Sequence, residues 1–146
     1  MKLLIVDDEP AVIGFLSNVA HLEGDVEVDT ASSGEEALAK VVQTNYDLIS
    51  LDIQMPGTSG LEVLALLRNM CPHGVIAIIS GNVGEEELPE IAGCADLIIQ
   101  KPIALEKFRS LLQGAQQIYN HMHEIRALGE IPVPSYRVGL MSNSGS

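Results

Sequence analysis

The sequence predicts an α/β fold in which a doubly wound, five-stranded parallel sheet is covered by helices. Short apolar runs recur along the chain, and segments with helical spacing separate them. Runs that are continuously apolar, instead of alternating with polar residues, are typical of strands buried on both faces. Because alternating strands and helices favour right-handed crossovers, we expect the strand order 2-1-3-4-5.

The five predicted strands are short and rich in β-branched residues. They cover residues 3–6, 26–30, 48–51, 75–79 and 97–99. Apolar positions at 3.6-residue spacing predict the first three helices between them. The apolar residues are Val12, Phe15, Leu16 and Val19, then Ala37, Leu38, Val41 and Val42, then Leu61, Leu64 and Ala65, with Arg68 at the next position of the same spacing. Residues 33–36 and 59–62 both fit the S-x-x-E capping box, which predicts that Ser33 and Ser59 begin helices.

The last two helices are less regular. Pro89 lies within residues 85–92 and lacks an amide proton, so we expect a short or distorted fourth helix. The fifth helix follows Pro102, and its apolar residues alternate at spacings of three and four. They are Phe108, Leu111, Ala115, Ile118, Met122 and Ile125. This seam indicates a homodimer through helix 5; the alternative is a helix that packs on its own sheet and has a frayed end.

Composition limits the classes of protein to consider. The chain has 146 residues, of which 47% are hydrophobic and 19% charged, so it can bury one core without disulfides or metals. The net charge of -12 disfavours direct binding to nucleic acids or anionic membranes. Cys71 and Cys94 lack CxxC spacing, and no signal peptide or apolar run of ~20 residues is present, so we expect a cytoplasmic protein with reduced thiols.

The negative charge also predicts how the chain is divided. All of the acidic excess lies in residues 1–120, because residues 121–146 contain two acids and two bases. Residues 131–134 and 142–146 are rich in Pro, Ser and Gly, which is typical of a linker or tail. We therefore expect one domain over residues 1–120, and a helix extension with a tail or linker over residues 121–146.

Acidic residues follow two of the predicted strands. Asp7 and Asp8 come after the first strand and Asp52 after the third, so in a parallel sheet they would converge on one edge. Each like-charge pair at ~4 Å costs about 4 kcal/mol at an effective dielectric constant of ~20, so the cluster needs protons or a cation. Oxygen ligands with open positions suit Mg2+. Taken alone, Asp8 could instead cap the helix at Pro10, and Asp7 could be a solvated strand-end carboxylate.

Two more polar residues close the remaining strands at the same edge. Ser80 ends the fourth strand and Lys101 ends the fifth. A hydroxyl and an ammonium group, together with Mg2+, would contact the peripheral oxygens of a phosphoryl group. Three carboxylates, one Mg2+ and one ammonium sum to about zero charge, so the predicted site tolerates an incoming phosphate.

Four fragments together resemble the receiver domain of two-component response regulators. They are Asp7-Asp8-Glu9-Pro10, the segment 52–60, Ser80-Gly81 and Lys101-Pro102, and the resemblance covers residues 1 to about 118. It implies a flavodoxin-like (receiver) fold. It also implies that Asp52 accepts a phosphoryl group from a phosphohistidine on a sensor histidine kinase or a phosphotransfer protein.

The resemblance further assigns roles within the site. It implies that Asp7, Asp8, Asp52 and the backbone carbonyl of Gln54 bind Mg2+, with Mn2+ as an alternative. Lys101 would pair with the phosphoryl group, and Ser80 would hydrogen-bond to it. The bond between Lys101 and Pro102 would be cis, an isomer found in only ~5–6% of X-Pro bonds. Residues 55–57 would shape the loop over Asp52.

The sequence also departs from the pattern of the receiver family. Many receivers have an aromatic residue three positions before the lysine, where this chain has Ile98, so the usual aromatic switch is in doubt. Gly81 and Pro89 indicate that the signalling face differs as well. Gln54 and Asn82 flank the site and could tune phosphoryl hydrolysis, or they could be ordinary polar surface residues.

Two other functional classes are less consistent with the residues. A haloacid-dehalogenase-type phosphatase needs an acid two residues after its nucleophile, whereas Gln54 follows Asp52 at that position. A flavin or nucleotide carrier would need a glycine-rich phosphate loop, which the sequence lacks. We therefore expect a switch that catalyses only its own phosphorylation and dephosphorylation. Its output would pass through a downstream protein or an output domain outside this chain.

Overall fold

The computed structural model describes residues 1–57 and 59–134, and it confirms the predicted fold class. One sheet of five parallel strands has the order β2-β1-β3-β4-β5. The strands are β1 (Lys2–Val6), β2 (Glu27–Ala31), β3 (Leu48–Leu51), β4 (Val75–Ser80) and β5 (Leu97–Gln100). The helices are α1 (Pro10–Leu22), α2 (Gly34–Gln43), α3 (Gly60–Met70), α4 (Leu88–Ala92) and α5 (Leu105–Ala127). Thr58 and the predicted tail segment 142–146 lie outside the described residues.

The sheet separates two hydrophobic clusters. On one face, α2, α3 and α4 bury residues such as Val41, Leu64 and Ile91. On the other face, α1 and α5 bury residues such as Leu16 and Phe108. Every residue of β3 is buried, including Ser50, in agreement with the mostly apolar run in the sequence.

Both predicted helix starts are confirmed, but only one of the two serines makes a capping hydrogen bond. The Ser33 side chain accepts a hydrogen bond from the Glu36 amide at 3.1 Å, as a capping box requires. The Glu36 carboxylate accepts a hydrogen bond from the Ser32 amide at 3.0 Å. In a full capping box it would accept from the amide of Ser33 instead. Ser59 is the N-cap of α3, so the predicted start of this helix is confirmed, but the Ser59 side chain makes no capping hydrogen bond.

The start of α3 depends instead on a close approach of two backbones. A Cβ atom on Gly60 would lie 2.2 Å from the Ile53 carbonyl oxygen, so only glycine fits this position. Glycine lets α3 begin directly against the segment that follows β3. The helical core positions of α3 also differ from the prediction: Val63, Leu64 and Leu67 are buried, whereas Ala65 is exposed.

The fourth helix is short, as Pro89 predicted. A 3₁₀ turn over Glu85–Glu87 leads into α4, and Pro89 lies in the first turn of α4, where its missing amide proton removes no helical hydrogen bond.

The fifth helix packs on the sheet only along its first half. Phe108, Leu112 and Ala115 are buried there, and Leu111 is half-buried against the same hydrophobic cluster. Beyond them, Ile118 and Ile125 are 51% and 57% exposed. The 23 residues of α5 span roughly 34 Å, which is about twice the length of a strand in this sheet. The apolar side chains on the second half of α5 therefore form a stripe that stays exposed among the described residues.

Across residues 1–57 and 59–134, no helix combines the length and the apolar character needed to cross a bilayer.

Candidate functional site

Backbone hydrogen bonds of the sheet continue past the strands into the residues of the site. The Asp7 amide donates to the Ala31 carbonyl, and the Asp52 amide donates to the Val6 carbonyl, each at 3.0 Å. The Lys101 amide donates to the Ser80 carbonyl at 2.9 Å. These bonds fix the starting direction of each functional side chain, and they bring the carboxyl ends of β1, β3, β4 and β5 to one edge of the sheet.

Four carboxylates meet at this edge. Asp7, Asp8, Glu9 and Asp52 each place a carboxylate oxygen within 4.8 Å of the others. Asp7 and Asp52 are buried, whereas Asp8 and Glu9 are exposed. The helix cap predicted as an alternative for Asp8 is wrong, because Glu9 occupies that position and its side chain makes no capping bond.

Lys101 lies among the carboxylates and contacts three of them. Its Nζ atom is 2.9 Å from Asp7 Oδ2, 3.0 Å from Asp52 Oδ2 and 3.1 Å from Glu9 Oε1. Burial opposes the charge of the ammonium group, but the hydrogen bonds to Asp7, Asp52 and Glu9 outweigh it and raise the pKa of Lys101. The peptide bond between Lys101 and Pro102 is cis, as the resemblance implied.

The buried position of Asp7 within the acidic cluster disfavours the charged form of its carboxyl group. Burial raises the pKa of Asp7, and the nearby charge of Asp52 adds to that rise. The Glu9 amide, which donates to Asp7 Oδ1 at 2.9 Å, and the Lys101 ammonium lower the pKa but do not cancel the effect of burial. Burial therefore makes the ionised form of Asp7 less favourable than that of an exposed aspartate.

Both oxygens of Asp52 have defined partners. Oδ2 contacts Lys101, and Oδ1 accepts hydrogen bonds from the Gln54 amide at 2.8 Å and the Ser80 hydroxyl at 3.1 Å. Ser80 is fully buried. The structure thus brings Asp7, Asp8, Asp52, Ser80 and Lys101 to one edge of the sheet, where the Gln54 backbone amide contacts Asp52.

The donor set suits a hard divalent cation. Counting four carboxylates and one ammonium, the cluster has a net charge of about -3, so a further cation would stabilise it. Carboxylate oxygens, some buried and some open to solvent, are the ligands that Mg2+ prefers. The sequence-based charge sum omitted Glu9; with Glu9 included, one Mg2+ leaves the site at about -1.

Sequence reasoning missed two contacts. Glu9 is an ion-pair partner of Lys101, although 92 positions separate them and no local pattern links the two. The Gln54 side chain accepts a hydrogen bond from the Asn82 amide at 3.1 Å, which joins two loops at the site. Ile98, at the position of the expected aromatic residue, is 39% exposed.

Comparison with known proteins gives a family match and many curated relatives. The family model described as "Response regulator receiver domain" matches residues 3–113. The transcriptional regulatory protein ResD of Bacillus subtilis is 32% identical over 120 residues, covering 80% of this chain and 50% of ResD. The nitrogen assimilation regulatory protein NtrX of Azorhizobium caulinodans is 30% identical over 143 residues, covering 96% of this chain and 31% of NtrX. The chain thus spans half or less of the length of these relatives.

Solved structures have the same fold. A CheY-like receiver domain protein from Methanospirillum hungatei has a TM-score of 0.72 and 27% identity, covering 80% of this chain and 97% of that one. The response regulator TrrA of Thermotoga maritima, solved in complex with Mg2+ and BeF, has a TM-score of 0.70 and 34% identity, covering 78% of this chain and 97% of TrrA. The fold, the geometry of the site and the family match agree, and the chain belongs to the response regulator receiver domain family.

Proposed function

We propose that Asp52 is the phosphoacceptor of a signalling switch. The observation that supports this most strongly is the environment of its buried carboxylate, which contacts Lys101 through Oδ2 and Ser80 through Oδ1. A carboxylate held between an ammonium and a hydroxyl is oriented for attack, and the same two groups can contact a phosphoryl group once it is attached.

The phosphoryl donor is a phosphohistidine on a sensor histidine kinase or a phosphotransfer protein. A carboxylate oxygen of Asp52 attacks the phosphorus atom and forms a new P–O bond. The P–N bond to the imidazole breaks, and its electron pair stays on the imidazole nitrogen. In dephosphorylation, water attacks the phosphorus and forms a new P–O bond while the P–O bond to Asp52 breaks. The products are inorganic phosphate, a proton and the restored Asp52 carboxylate.

The metal ligands are the carboxylates of Asp7, Asp8 and Asp52 and the backbone carbonyl of Gln54. We propose Mg2+ as the ion, with Mn2+ as an alternative of similar ligand preference. A bound divalent ion supplies positive charge that offsets the acidic cluster when a phosphoryl group enters. Lys101 then holds the phosphoryl oxygens on one side, and Ser80 donates a hydrogen bond on another.

The chain acts on its own aspartyl phosphate and not on a separate substrate. A phosphatase with an aspartate nucleophile would need a general acid two residues further on, and that position is Gln54. An amide cannot donate a titratable proton, and the Gln54 Oε1 atom already accepts from Asn82. The residues therefore support a switch over a phosphatase.

Output requires a partner beyond the described domain. We propose that residues 1–120 form the receiver domain and residues 121–146 a helix extension with a tail or linker. The relatives are longer than this chain, which supports an output domain outside the receiver domain. The alternative is a separate downstream protein. The net charge of -12 favours a protein partner over direct contact with nucleic acid.

The exposed stripe on α5 supports a homodimer. Ile118, Met122 and Ile125 continue the heptad spacing beyond the sheet and stay exposed in a single chain. A second copy that presents the same stripe would bury it. The double change Ile118→Ser and Ile125→Ser should convert a dimer to a monomer in light scattering, whereas Leu22→Ser, an exposed apolar residue at the end of α1, should not. A monomeric wild-type chain at high concentration would overturn this assignment.

Phosphotransfer tests the central proposal. A histidine phosphotransfer protein labelled with radioactive phosphate should pass its label to the wild-type chain in the presence of Mg2+, and not to Asp52→Asn. Ser50→Ala is a matched control, because Ser50 is buried in the neighbouring part of β3 but does not contact the Asp52 carboxylate in any described bond. Equal labelling of Asp52→Asn would refute the proposal.

A further inference from the structure

Two loops of the site are joined by the side chain of Gln54. The first loop follows β3 and Asp52, and the second follows β4 and Ser80. Gln54 Oε1 accepts a hydrogen bond from the Asn82 amide at 3.1 Å. The carbonyl oxygen of the Gln54 side chain also lies against Gly81, because a Cβ added there would be 3.6 Å from it.

Gln54 contacts the acceptor carboxylate at the same time. Its backbone amide donates to Asp52 Oδ1 at 2.8 Å, and the Ser80 hydroxyl donates to that same oxygen at 3.1 Å. Three hydrogen bonds and the covalent chain therefore join four residues in a closed ring, namely Asp52, Gln54, Asn82 and Ser80. One residue contacts the reacting group with its backbone and the neighbouring loop with its side chain.

We propose that Gln54 is a positioning residue that couples the state of Asp52 to the loop between β4 and α4. This inference rests on the proposed phosphoacceptor function. When Asp52 becomes an acyl phosphate, its carboxyl group loses its negative charge and becomes a weaker acceptor for the Gln54 amide. The Ser80 hydroxyl gains phosphoryl oxygens as alternative acceptors. Both changes alter the ring of hydrogen bonds that holds the Asn82 amide.

The position of Asn82 gives this coupling a direct route to α4. Asn82 lies three residues before the 3₁₀ turn Glu85–Glu87, which leads into α4. Ile98 cannot act as an aromatic switch, and aromatic residues make up only 3% of the chain. The link from Gln54 to Asn82 therefore transmits the change through a polar contact, and Ile98 stands where a receiver usually has its movable ring.

Three variants test the coupling by amide hydrogen exchange at Asn82, measured by NMR. Gln54→Met keeps the length of the side chain but removes the acceptor, and exchange at Asn82 should become about three- to tenfold faster in the unmodified chain. Gln54→Glu keeps an acceptor and should restore slow exchange. Asn82→Ala is the matched control, because it removes the side chain and retains the backbone amide, and exchange at residue 82 should stay slow.

A second measurement adds Mg2+ and beryllium fluoride as a stable probe for the phosphoryl group. In the wild-type chain, this probe should change amide exchange at Asn82 and across residues 83–88, and in Gln54→Met that change should fall by at least half. Exchange at Asn82 that is equal in Gln54→Met and wild type would overturn the inference. An equally large acceleration in Asn82→Ala would also overturn it, since any change in the loop would then have the same effect.

Mass measurement separates this inference from the proposed function. If the wild-type chain gains no phosphoryl mass from acetyl phosphate, the phosphoacceptor function fails and the coupling fails with it. If the mass gain depends on Asp52 but the response of residues 83–88 is the same in Gln54→Met and wild type, only the role of Gln54 is wrong.

Discussion

The Nζ atom of Lys101 lies 3.0 Å from Oδ2 of Asp52, although 49 positions separate the two residues in the chain. The contact forms because β3 and β5 end at the same edge of the sheet, with β4 between them. Lys101 also contacts Asp7 and Glu9, so a single ammonium group links the acceptor to two members of the acidic cluster.

Replacing Lys101 by Ala should separate phosphorylation from its structural consequence. Some modification of Asp52 by acetyl phosphate should remain, because the acceptor and the metal ligands are intact. The amide NMR shifts of residues 80–82 should no longer change on modification, since the ammonium that holds the phosphoryl group is gone. The variant should also lose about 1–3 kcal/mol of stability, because Asp7 and Asp52 lose a buried partner. An unchanged NMR response would contradict the role of Lys101.

Asp8 and the metal ion should be required together for labelling. Asp8→Ala, or excess chelator with the wild-type chain, should abolish labelling by acetyl phosphate, because the charge of the cluster is no longer offset. Asp8 is exposed, so the variant should unfold at nearly the wild-type temperature without metal and should lose the rise in that temperature that Mg2+ produces. Normal labelling in excess chelator would refute the metal mechanism.

Asp7→Asn should stabilise the metal-free chain near neutral pH, because burial disfavours the charged form of Asp7 and the amide carries no charge. Burial raises the pKa of Asp7 above 3.8, so the folded state binds this proton more tightly than the unfolded state. The associated stability is complete below about pH 3.8 and is lost as the pH rises through the raised pKa of the folded state. The advantage of Asp7→Asn should therefore vanish at low pH. Chemical denaturation across the pH range measures this, and a variant less stable than wild type at pH 7 would contradict it.

Arg68→Ala should be strongly destabilising, by about 2–4 kcal/mol, without removing the acceptor site. At the opposite edge of the sheet, the guanidinium donates to the Cys94 carbonyl at 2.6 Å and the Gly74 carbonyl at 2.8 Å, and it pairs with Asp96 at 2.9 Å. Asp96 in turn accepts a hydrogen bond from the Ile76 amide at 2.9 Å.

The control for this experiment is Arg109→Ala. Arg109 pairs with Glu23 and Glu106 on the surface, so its loss should lower the unfolding temperature far less. Comparable losses in the two variants would contradict the structural role assigned to Arg68.

The sequence predicts the sheet well because burial on both faces leaves a local signature. The run 48–51 is apolar except for Ser50, and it forms β3 with the predicted limits. Asp7, Asp52, Ser80 and Lys101 could be placed at one edge because the strand order and the parallel direction determine where each strand ends.

Long-range contacts leave no such signature. The pairing of Glu9 with Lys101 depends on side-chain directions across the site, and the role of Arg68 depends on carbonyl groups in two loops. Leu112 does not fit the heptad spacing of α5 and was missed, because the face that packs on the sheet is wide enough to include both Leu111 and Leu112. Ser59 fits a capping box by sequence, but the close approach of Gly60 to Ile53 determines how that helix begins.

Intact mass after incubation with acetyl phosphate and Mg2+ tests the central claim most directly. The wild-type chain should gain ~80 Da, the mass of one phosphoryl group, and Asp52→Asn should gain nothing. A wild-type chain that gains no mass, or an Asp52→Asn variant that gains the same mass, would contradict the assignment of Asp52 as the phosphoacceptor.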